Sequence, residues 1–394
     1  MATPAQSLEA APLASPGPDP SVKVEPVRTA ADREAFIQLQ YQLYRGDPLW
    51  VPPLLMERRD FLDPRKNPFF EFGQVQLFLA RRQGTLVGRI AAVEDPRYNE
   101  VHGTRHGFFG LFECRDHEGA ARALFDAAAG WLRRRGLDRM LGPFSFSTNY
   151  ECSSLVEGFD SSPAIMMAYN PRYHAGLYQA AGFTKAKDLL AFELSSSAPP
   201  PEKVVRVAEK IRAREGIVVR GVNMKDFSSD VRKVKEIYNS AWEKNWGFVP
   251  MTERELDHMA RELRPVVVPE LVRIAEVKGE PVAFAMTLPD ANVALKAAGG
   301  RLTRFGLPIG LARLLWASRR IKRLRLITLG IKAGFRRRGI DAVLYLDTIR
   351  IAKELGYEGG EISWTLEDND LVNRAIESMG GRLSKRYRIY ERPL

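Results

Sequence analysis

One stretch of the chain, residues 325–356, has the residue types and the spacing of an anion-binding turn. The apolar run Leu326–Ile331 has the length and composition of a strand, and it leads into Gly334, three consecutive arginines and Gly339. A helical pattern follows and ends at Gly356. The first backbone N–H groups of such a helix have no partner within it, and together with the helix dipole they attract phosphate. The alternative is an ordinary strand-to-helix connection with a solvated basic turn.

The sequence of this turn resembles a known phosphate-binding loop. Arg336-x-x-Gly339-x-Asp341-Ala342 is similar to the loop with which the GNAT superfamily of N-acyltransferases binds the diphosphate of acyl-CoA or acetyl-CoA. Asp341 departs from the pattern, because the superfamily usually has Gly or Ala there. The resemblance implies that CoA, as a co-substrate, contacts the preceding strand, the loop and two later asparagines, namely Leu329, Gly330, Ile331, Arg336, Arg337, Arg338, Gly339, Ile340, Asp341, Ala342, Asn369 and Asn373.

Composition is typical of a globular protein with two domains. The chain has 394 residues, and 45% of them are hydrophobic, which suffices to form cores. No apolar run reaches the roughly 18 residues that span a bilayer, and the N-terminus lacks a signal-peptide pattern, so we expect a cytoplasmic protein. Two cysteines and scattered histidines are too few for a disulfide framework or a metal cluster, and no metal is expected.

The positive charge is concentrated in one region. The net charge is +11, yet residues 290–338 alone contain 13 Lys and Arg and one acidic residue, a local charge of +12. A local basic site of this kind favours contact with phosphate or with anionic lipid over the wrapping of nucleic acid. We therefore expect no nucleic-acid partner.

An internal repeat divides the chain into two similar halves. Gly119–Gly136 and Gly339–Gly356 have the same spacing, and in both halves a strand, a turn, a helix, a strand, a second helix and a closing strand follow in that order. The sequence predicts an α/β (α+β) fold of two tandem GNAT-like domains, each with a mixed, mostly antiparallel central sheet flanked by helices. A disordered tail, the first domain, a linker and the second domain are predicted at residues 1–21, 22–195, 196–202 and 203–394.

The two halves have diverged in complementary ways. In the first, the turn before Gly119 carries acidic residues where phosphate would require a cation, but Tyr178 matches a tyrosine that many superfamily members hold near the CoA sulfur. In the second, the basic loop is intact and Glu377 replaces the tyrosine. We expect the second domain to bind the acyl-CoA, and the first to be a degenerate copy that packs against it or shapes the acceptor pocket.

Residues 145–166 form an extra polar segment in the first half. A long polar segment beside a strand end is more often functional than not, although structural packing is the alternative. We expect the amine substrate to contact residues of this segment and two tryptophans of the second half, namely Asn149, Tyr150, Cys152, Trp364 and Trp316.

N-acyl transfer requires a base for the amine, donors for the thioester carbonyl and an acid for the leaving thiolate. No carboxylate lies on the strand Ile327–Ile331, where many superfamily members have one, so the base must come from elsewhere or act through water. For each candidate the alternative is a surface charge or a core tyrosine. The candidate bases are Glu361, Glu367 and Glu151, and the candidate acids are Tyr387, Tyr390 and Tyr345.

The segment Pro289–Arg325 is longer than an ordinary connection between strands. On a helical wheel its leucines share one arc, and arginines lie opposite with Trp316 among them. A basic amphipathic helix can lie on an anionic membrane surface or line a channel for an apolar substrate. The alternative is a core-packed helix with a solvated basic face. The membrane interpretation implies a peripheral location on the inner face of the cell membrane.

A narrower resemblance extends over nearly the whole chain from Val22. Asp47–Pro53, Gly142–Asn149, Glu361–Asn369 and Lys385–Tyr390 are similar to segments of bacterial tandem GNAT-like proteins that include the bacterial ceramide synthases. This resemblance implies N-acylation of a long-chain sphingoid base by a fatty acyl-CoA. The rival interpretations are an N-acetyltransferase of a small polar amine or protein lysine, and a non-catalytic CoA- or lipid-binding scaffold. An apolar acceptor tunnel would favour the lipid, and a shallow acidic groove would favour the polar amine.

Overall fold

The computed structural model describes residues 19–195, 199–242 and 245–394. The tail that the sequence predicts to be disordered lies outside the described residues as far as residue 18, as do residues 196–198 of the predicted linker. The rest of that linker leads directly into a helix that begins at Glu202. Among the described residues, no helix combines the length and the apolar character that a membrane crossing requires.

The elements of the first half follow the predicted order. Its first helix begins at a capping box, in which the Thr29 hydroxyl accepts from the N–H of Asp32 at 3.1 Å and the Asp32 carboxylate accepts from the N–H of Thr29 at 3.0 Å. The elements are β1 Val22–Pro26, α1 Ala30–Leu43, α2 Leu55–Phe61, β2 Gln74–Arg82, β3 Thr85–Glu94, α3 Pro96–His102, β4 His106–Cys114, α4 Glu118–Arg133, β5 Arg139–Gly142, β6 Ser154–Glu157, α5 His174–Ala180 and β7 Thr184–Ser195.

The second half repeats that order, with one addition. Between its third and fourth strands the first half has one helix, α3, whereas the second half has two, α9 and α10, in the segment for which the sequence predicts an amphipathic helix. The elements are α6 Glu202–Glu215, β8 Ile217–Gly221, α7 Phe227–Trp242, α8 Glu253–Leu263, β9 Val272–Val277, β10 Glu280–Pro289, α9 Asn292–Ala298, α10 Ile309–Ser318, β11 Arg323–Ile331, α11 Ile340–Glu354, β12 Gly359–Leu366, α12 Asp370–Ser378 and β13 Arg382–Pro393.

The closing strands of the two halves are exchanged. In the described residues the strands form one sheet in the order β1-β2-β3-β4-β5-β13-β7-β12-β11-β10-β9-β8, with β6 paired to β13. The last strand of the chain thus completes the first half between β5 and β7, and β7 completes the second half beside β12. The predicted fold class is confirmed, whereas the joining of both sheets into one was not predicted. The domain boundaries at 195 and 203 stay a prediction.

Each half contains one pair of parallel strands that separates along its length. β4 pairs with β5 as far as Phe108, and β11 pairs with β12 as far as Leu326. We call the gap between β4 and β5 the first slot and the gap between β11 and β12 the second slot. The strand directions place β4 and β11 antiparallel, so the two slots open at opposite ends of the sheet. β10 runs in the direction of β4, because it is antiparallel to β11. The connection that contains α9 and α10 therefore lies at the end where the first slot opens.

The largest core cluster joins the two halves. It combines Phe144 and Leu189 of the first half with Leu366, Tyr387 and Ile389 of the second, and all five are buried. Because the exchanged strands supply part of this core, part of the apolar surface of each half is buried only when the other half is in place.

At Gly110 of β4, the segment that follows β5 lies directly against the strand. A Cβ atom at Gly110 would lie 1.7 Å from the carbonyl oxygen of Phe144. We expect Gly110→Ala to push the Phe144 segment away from β4 and to lower the free energy of unfolding by about 2 kcal/mol, as overpacking typically does. Urea denaturation measures the change. Gly176→Ala is the control, because nothing lies within 4 Å of its Cβ position. An equal effect of both substitutions would contradict the close packing of the Phe144 segment against Gly110.

Candidate functional site

The start of α11 has the geometry that the sequence predicts for an anion site. Gly339 has a φ of 77°, and no side chain caps the helix there. A Cβ atom at this position would lie 2.4 Å from the Cδ1 atom of Ile211 on α6, so glycine is required. Asp341 lies in the first turn, with Ile340 buried before it and Ala342 half-buried after it. The backbone N–H groups of this turn can therefore face an anion.

The arginines before α11 are partly engaged by the protein itself. Arg336 donates to the backbone carbonyls of Ser240 and Ala241, at 3.1 and 2.8 Å. Arg338 lies 3.5 Å from a carboxylate oxygen of Glu215. Arg337 is exposed, with a left-handed φ of 62°. These contacts hold the loop against α6 and α7.

The strand before this loop is covered on one side. A Cβ atom at Gly330 would lie 2.4 Å from the ring of Trp242, so α7 packs directly on the backbone where the sequence predicts the CoA arm. Leu329 and Ile331 pack on the core beneath α11. In this structure an indole ring of α7 therefore covers the face of β11 at Gly330.

The corresponding helix of the first half is capped by a side chain. Nδ1 of His117 accepts from the backbone N–H of Ala120 at 3.0 Å, and Nε2 lies 3.4 Å from the Asp19 carboxylate. An imidazole thus occupies the place where the start of α11 is open. The helix start is therefore capped in the first half and uncapped in the second, in keeping with the acidic turn of the first half, which is unsuited to phosphate.

The first slot opens into a cavity of about 810 Å³. This volume is typical of a site for a small organic ligand. The first half forms a polar end of the cavity around the C-terminal end of β4, and Glu57, Arg58, Glu151 and Glu262 also line the cavity. Much of the remaining wall is apolar and comes from the second half, including Val267, Ala294, Leu295, Leu314, Leu315 and Ile321.

A buried carboxylate lies at the polar end of the cavity. Glu113, the next-to-last residue of β4, is 5% exposed and accepts from the Tyr44 hydroxyl at 2.9 Å and from the Gln40 amide at 3.0 Å. Nη2 of Arg89, also buried, lies 3.9 Å from Glu113 Oε1. Burial raises the pKa of Glu113 to about 7, against the opposing effects of Arg89 and the two hydrogen bonds. A carboxylate with such a pKa can take up a proton near neutral pH.

Two aromatic side chains of α5 also line the cavity. His174 is fully buried, and burial lowers its pKa to about 3, so its imidazole is neutral at physiological pH. Tyr178 is 1% exposed and its ring packs on Tyr390, with 4.7 Å between the ring centroids. Tyr390, a predicted acid, therefore lies in the core of the first half, where the exchange of β13 places it.

The extra segment 145–166 is divided between two roles. Glu151, a predicted base, lines the cavity 3.8 Å from Nη1 of Arg58, and its enclosure there raises its pKa. Asn149 instead donates to the carbonyl of Val249 at 3.1 Å and thereby holds the connection between α7 and α8. Tyr150, which is half-buried, packs against the central core.

A second polar cluster lies near the centre of the sheet. Arg325, 3% exposed, donates from Nε to the Ser363 hydroxyl at 2.9 Å and from Nη1 to the Ile165 carbonyl at 2.5 Å. The Ser363 hydroxyl donates to the Glu361 carboxylate at 2.5 Å. Glu361 faces a pocket of only about 70 Å³. The carboxylate predicted as a base is thus held by an internal network.

Tyr387 and Cys152 belong to the surroundings of this central cluster. The Tyr387 hydroxyl is buried and has no hydrogen-bond partner among the described residues, and burial, reinforced by the charge of Glu361, raises its pKa. Burial also raises the pKa of Cys152 to about 12, with Arg325 acting in the opposite direction. The structure therefore brings Glu361, Tyr387 and Cys152 together, apart from Glu113 and Tyr390.

The other predicted site residues are dispersed. Trp364 packs against the central core, and Trp316 on α10 is 55% exposed and is not part of the cavity wall. Asn369 lies at the start of α12 without a capping hydrogen bond from its side chain. Asn373 accepts from the Thr365 hydroxyl at 2.6 Å and donates to the Leu366 carbonyl, so its amide stabilises the end of β12.

Sequence reasoning missed Glu113 and its partners. The parallel pairing begins at His106 in β4 and at Arg323 in β11. Seven residues further along each strand, β4 has Glu113 and β11 has Gly330. The carboxylate that is absent from β11 is thus present at the matching position of β4. Comparison of the two repeats strand by strand, rather than loop by loop, would have found it.

Comparison with known proteins gives the class of this fold. No protein-family model matches the chain. A tandem GNAT protein from the clavulanic acid biosynthesis pathway has a TM-score of 0.53 at 14% identity, with 94% of this chain and 98% of that chain covered. A GCN5-related N-acetyltransferase from Sphaerobacter thermophilus has a TM-score of 0.52 at 14% identity, with 95% and 96% covered. The fold is thus that of the tandem GNAT proteins.

Two curated relatives define the family more closely. The bacterial ceramide synthase of Caulobacter vibrioides is 37% identical over 380 residues, which cover 95% of this chain and 98% of that protein. Protein YghO of Escherichia coli is 33% identical over 373 residues, which cover 92% and 93%. The chain belongs to this family of tandem GNAT N-acyltransferases, which includes the bacterial ceramide synthase.

The central cluster makes a prediction about stability. We expect Arg325→Leu to lower the free energy of unfolding by about 3–5 kcal/mol, because it removes one of the cations beside Glu361 and the donors of three buried acceptors, which are the hydroxyl and carbonyl of Ser363 and the carbonyl of Ile165. Urea denaturation measures this loss. If Glu361 is held by the cluster, adding Glu361→Gln should restore part of the stability; strictly additive losses would show that the two side chains do not interact.

Proposed function

We propose that the protein transfers an acyl group from an acyl-CoA to the amino group of a long-chain amine, with a sphingoid base as the favoured acceptor and Glu113 as the base. The observation that carries the proposal is a buried carboxylate with a pKa near neutrality at one end of a large cavity with an apolar far wall. The name of the Caulobacter relative supports the same acceptor class. A small polar acceptor would leave the apolar wall without a function.

The proposed chemistry is direct aminolysis of a thioester. Ionised Glu113 takes one proton from the ammonium group of the acceptor, and the free amine attacks the thioester carbonyl. The C–N bond of the amide forms and the C–S bond breaks. The thiolate that leaves takes a further proton from the attacking nitrogen, and Glu113 releases its own proton to water. Arg89 and Tyr44 hold the Glu113 side chain in place, and both favour its ionised form before and after the proton is held.

For the donor, we propose that the thioester enters through the first slot, between β4 and β5, without a diphosphate contact at the start of α4, which His117 caps. The first slot opens into the cavity beside Glu113, whereas the Trp242 ring covers the face of β11 at Gly330. Since the two slots open at opposite ends of the sheet, a CoA held at the start of α11 would not present its thioester to Glu113. The loop 336–342 stays, as the sequence predicts, a proposed site for a CoA diphosphate, but as a second one.

The base can be tested by substitution and by pH. We expect Glu113→Gln to lower kcat for amine acylation by about 100- to 10,000-fold, the usual contribution of a general base. In the wild type, kcat/KM should rise with pH and level off above about 7, because only the ionised carboxylate accepts a proton and burial raises the pKa of Glu113 to about 7. The variant should lose this dependence.

Release of free CoA thiol, measured with a panel of acyl-CoAs and of long-chain and polar amines, provides the assay. Glu361→Gln is the matched control, since that carboxylate faces the small central pocket. If Glu361→Gln abolishes turnover and Glu113→Gln does not, transfer takes place in the second half. Preference for short polar amines would support the acetyltransferase alternative, and CoA binding without turnover of any amine would support the scaffold.

The second CoA site makes a separate prediction. We expect Gly339→Val to remove one bound CoA per chain, as measured by titration calorimetry with CoA, because the new side chain would clash with Ile211 and disfavour the left-handed backbone. Amine acylation should remain within a few-fold of wild type. Gly334→Ala is the control in the same turn, where a Cβ atom meets nothing within 4 Å. Loss of acylation in Gly339→Val would instead place the reacting donor at α11.

A further inference from the structure

The turn before α10 holds an aromatic side chain in solvent. Arg304 and Leu307 exchange two backbone hydrogen bonds of 2.9 Å, which close a tight turn around Phe305 and Gly306. Phe305 stands at the tip of this turn and is 98% exposed. No core contact explains a phenylalanine in this position, since burial is what normally stabilises such a side chain in a protein.

Phe305 belongs to a larger exposed apolar surface. Five of the large apolar side chains that are exposed among the described residues fall within twelve consecutive positions of the chain. We call them the apolar patch; they are Phe305, Leu307, Leu311, Leu315 and Trp316. A concentration of this kind indicates an interaction surface, unlike apolar residues that are scattered singly.

The segment of the chain that carries the apolar patch has charge of one sign. Arg301, Arg313, Arg319 and Arg320 are exposed around it, and the guanidinium of Arg320 lies 3.5 Å above the ring of Trp316. No acidic residue occurs in the sequence between Asp290 and Asp341. Apolar side chains surrounded by arginines match a surface of anionic headgroups over hydrocarbon.

A second copy of the chain fits this surface poorly. A twofold contact through the apolar patch would place the same arginines against each other, because both partners of such a contact use the same surface. Like charges opposed across an interface repel and weaken it. An anionic bilayer has the opposite charge and needs no matching shape.

α10 also joins the apolar patch to the cavity. Leu314, Leu315 and Ser318 line the cavity, and Leu315 is at the same time 54% exposed within the patch. The cavity therefore reaches the surface beside the patch. A long-chain amine is dissolved in the bilayer rather than in water, so an opening at the membrane surface would receive it directly.

We infer that the apolar patch docks the protein on an anionic bilayer, with Phe305 inserted, and that the lipid acceptor enters the cavity beside α10. The docking is independent of the chemistry, whereas the entry of the acceptor rests on the proposed function.

Co-sedimentation of the full chain with vesicles tests the docking. We use vesicles of phosphatidylcholine alone and of phosphatidylcholine with one third phosphatidylglycerol. We expect stronger binding to the anionic vesicles, and a loss of about tenfold or more in Phe305→Ser/Leu307→Ser, because two apolar side chains no longer leave water. Leu371→Ser is the matched control, since Leu371 is 73% exposed on α12, and it should bind like wild type.

The charges are tested in the same assay. Arg319→Gln/Arg320→Gln should weaken binding to the anionic vesicles and should reduce the dependence of that binding on salt, with little change on phosphatidylcholine alone. Arg105→Gln/Arg214→Gln removes two other exposed arginines and serves as the control. Equal binding of wild type to both vesicle types would overturn the electrostatic part of the inference.

Other results would overturn the docking itself. Wild-type protein that binds neither vesicle type would do so, as would a Phe305→Ser/Leu307→Ser variant that binds like wild type. A dimer in analytical ultracentrifugation that this variant dissociates would identify a second copy as the partner of the apolar patch.

Entry of the acceptor has its own measurement. The Phe305→Ser/Leu307→Ser variant should acylate an amine in detergent micelles at the wild-type rate and an amine embedded in anionic vesicles more slowly by about tenfold, following its loss of binding. Equal rates on both substrates would overturn entry from the bilayer. If wild type acylates no amine in either form, the proposed function fails, and the sedimentation results still decide whether the patch docks.

Discussion

The pairing of β7 with β13 at the centre of the sheet is the interaction on which the rest of the structure depends. It joins the closing strand of each half to the other half, so that neither half has a complete sheet without strands from both. The core above this pair contains Leu189 of the first half and Tyr387 of the second. Burial of this shared apolar surface stabilises the two halves together.

The same exchange explains how one half completes the site of the other. It orients β4 and β10 in the same direction, so the connection after β10 lies over the slot at the end of β4. The insertion in that connection is therefore positioned to close the cavity of the first half with Leu314 and Leu315. A second half that had lost any catalytic role would still be required, because it forms the apolar wall of the cavity.

Local features of the sequence predicted local structure well. Contacts between segments that are distant in the sequence could not be predicted from it. The loop at Gly339 and the fold class follow from residue types and from the repeat. The cluster at Glu113 requires Gln40, Tyr44 and Arg89, which lie on other elements and have no recognisable spacing. Tyr390 reaches Tyr178 only through the exchange of β13. The predicted amphipathic helix is also shorter in the structure, since Pro308 and the turn at Gly306 precede it.

The cluster at Glu113 has physical properties that argue for function rather than for stability. Burying a carboxylate beside a buried arginine is generally no more favourable than filling the same space with apolar side chains. Here Arg89 lies 3.9 Å away and both oxygens of Glu113 accept hydrogen bonds, yet burial still dominates the pKa of Glu113 and holds it near 7. A structural ion pair would be served better by a carboxylate that stays ionised at every physiological pH. A pKa close to neutrality is what proton transfer requires, and the cavity beside Glu113 provides the space in which an amine could present its proton.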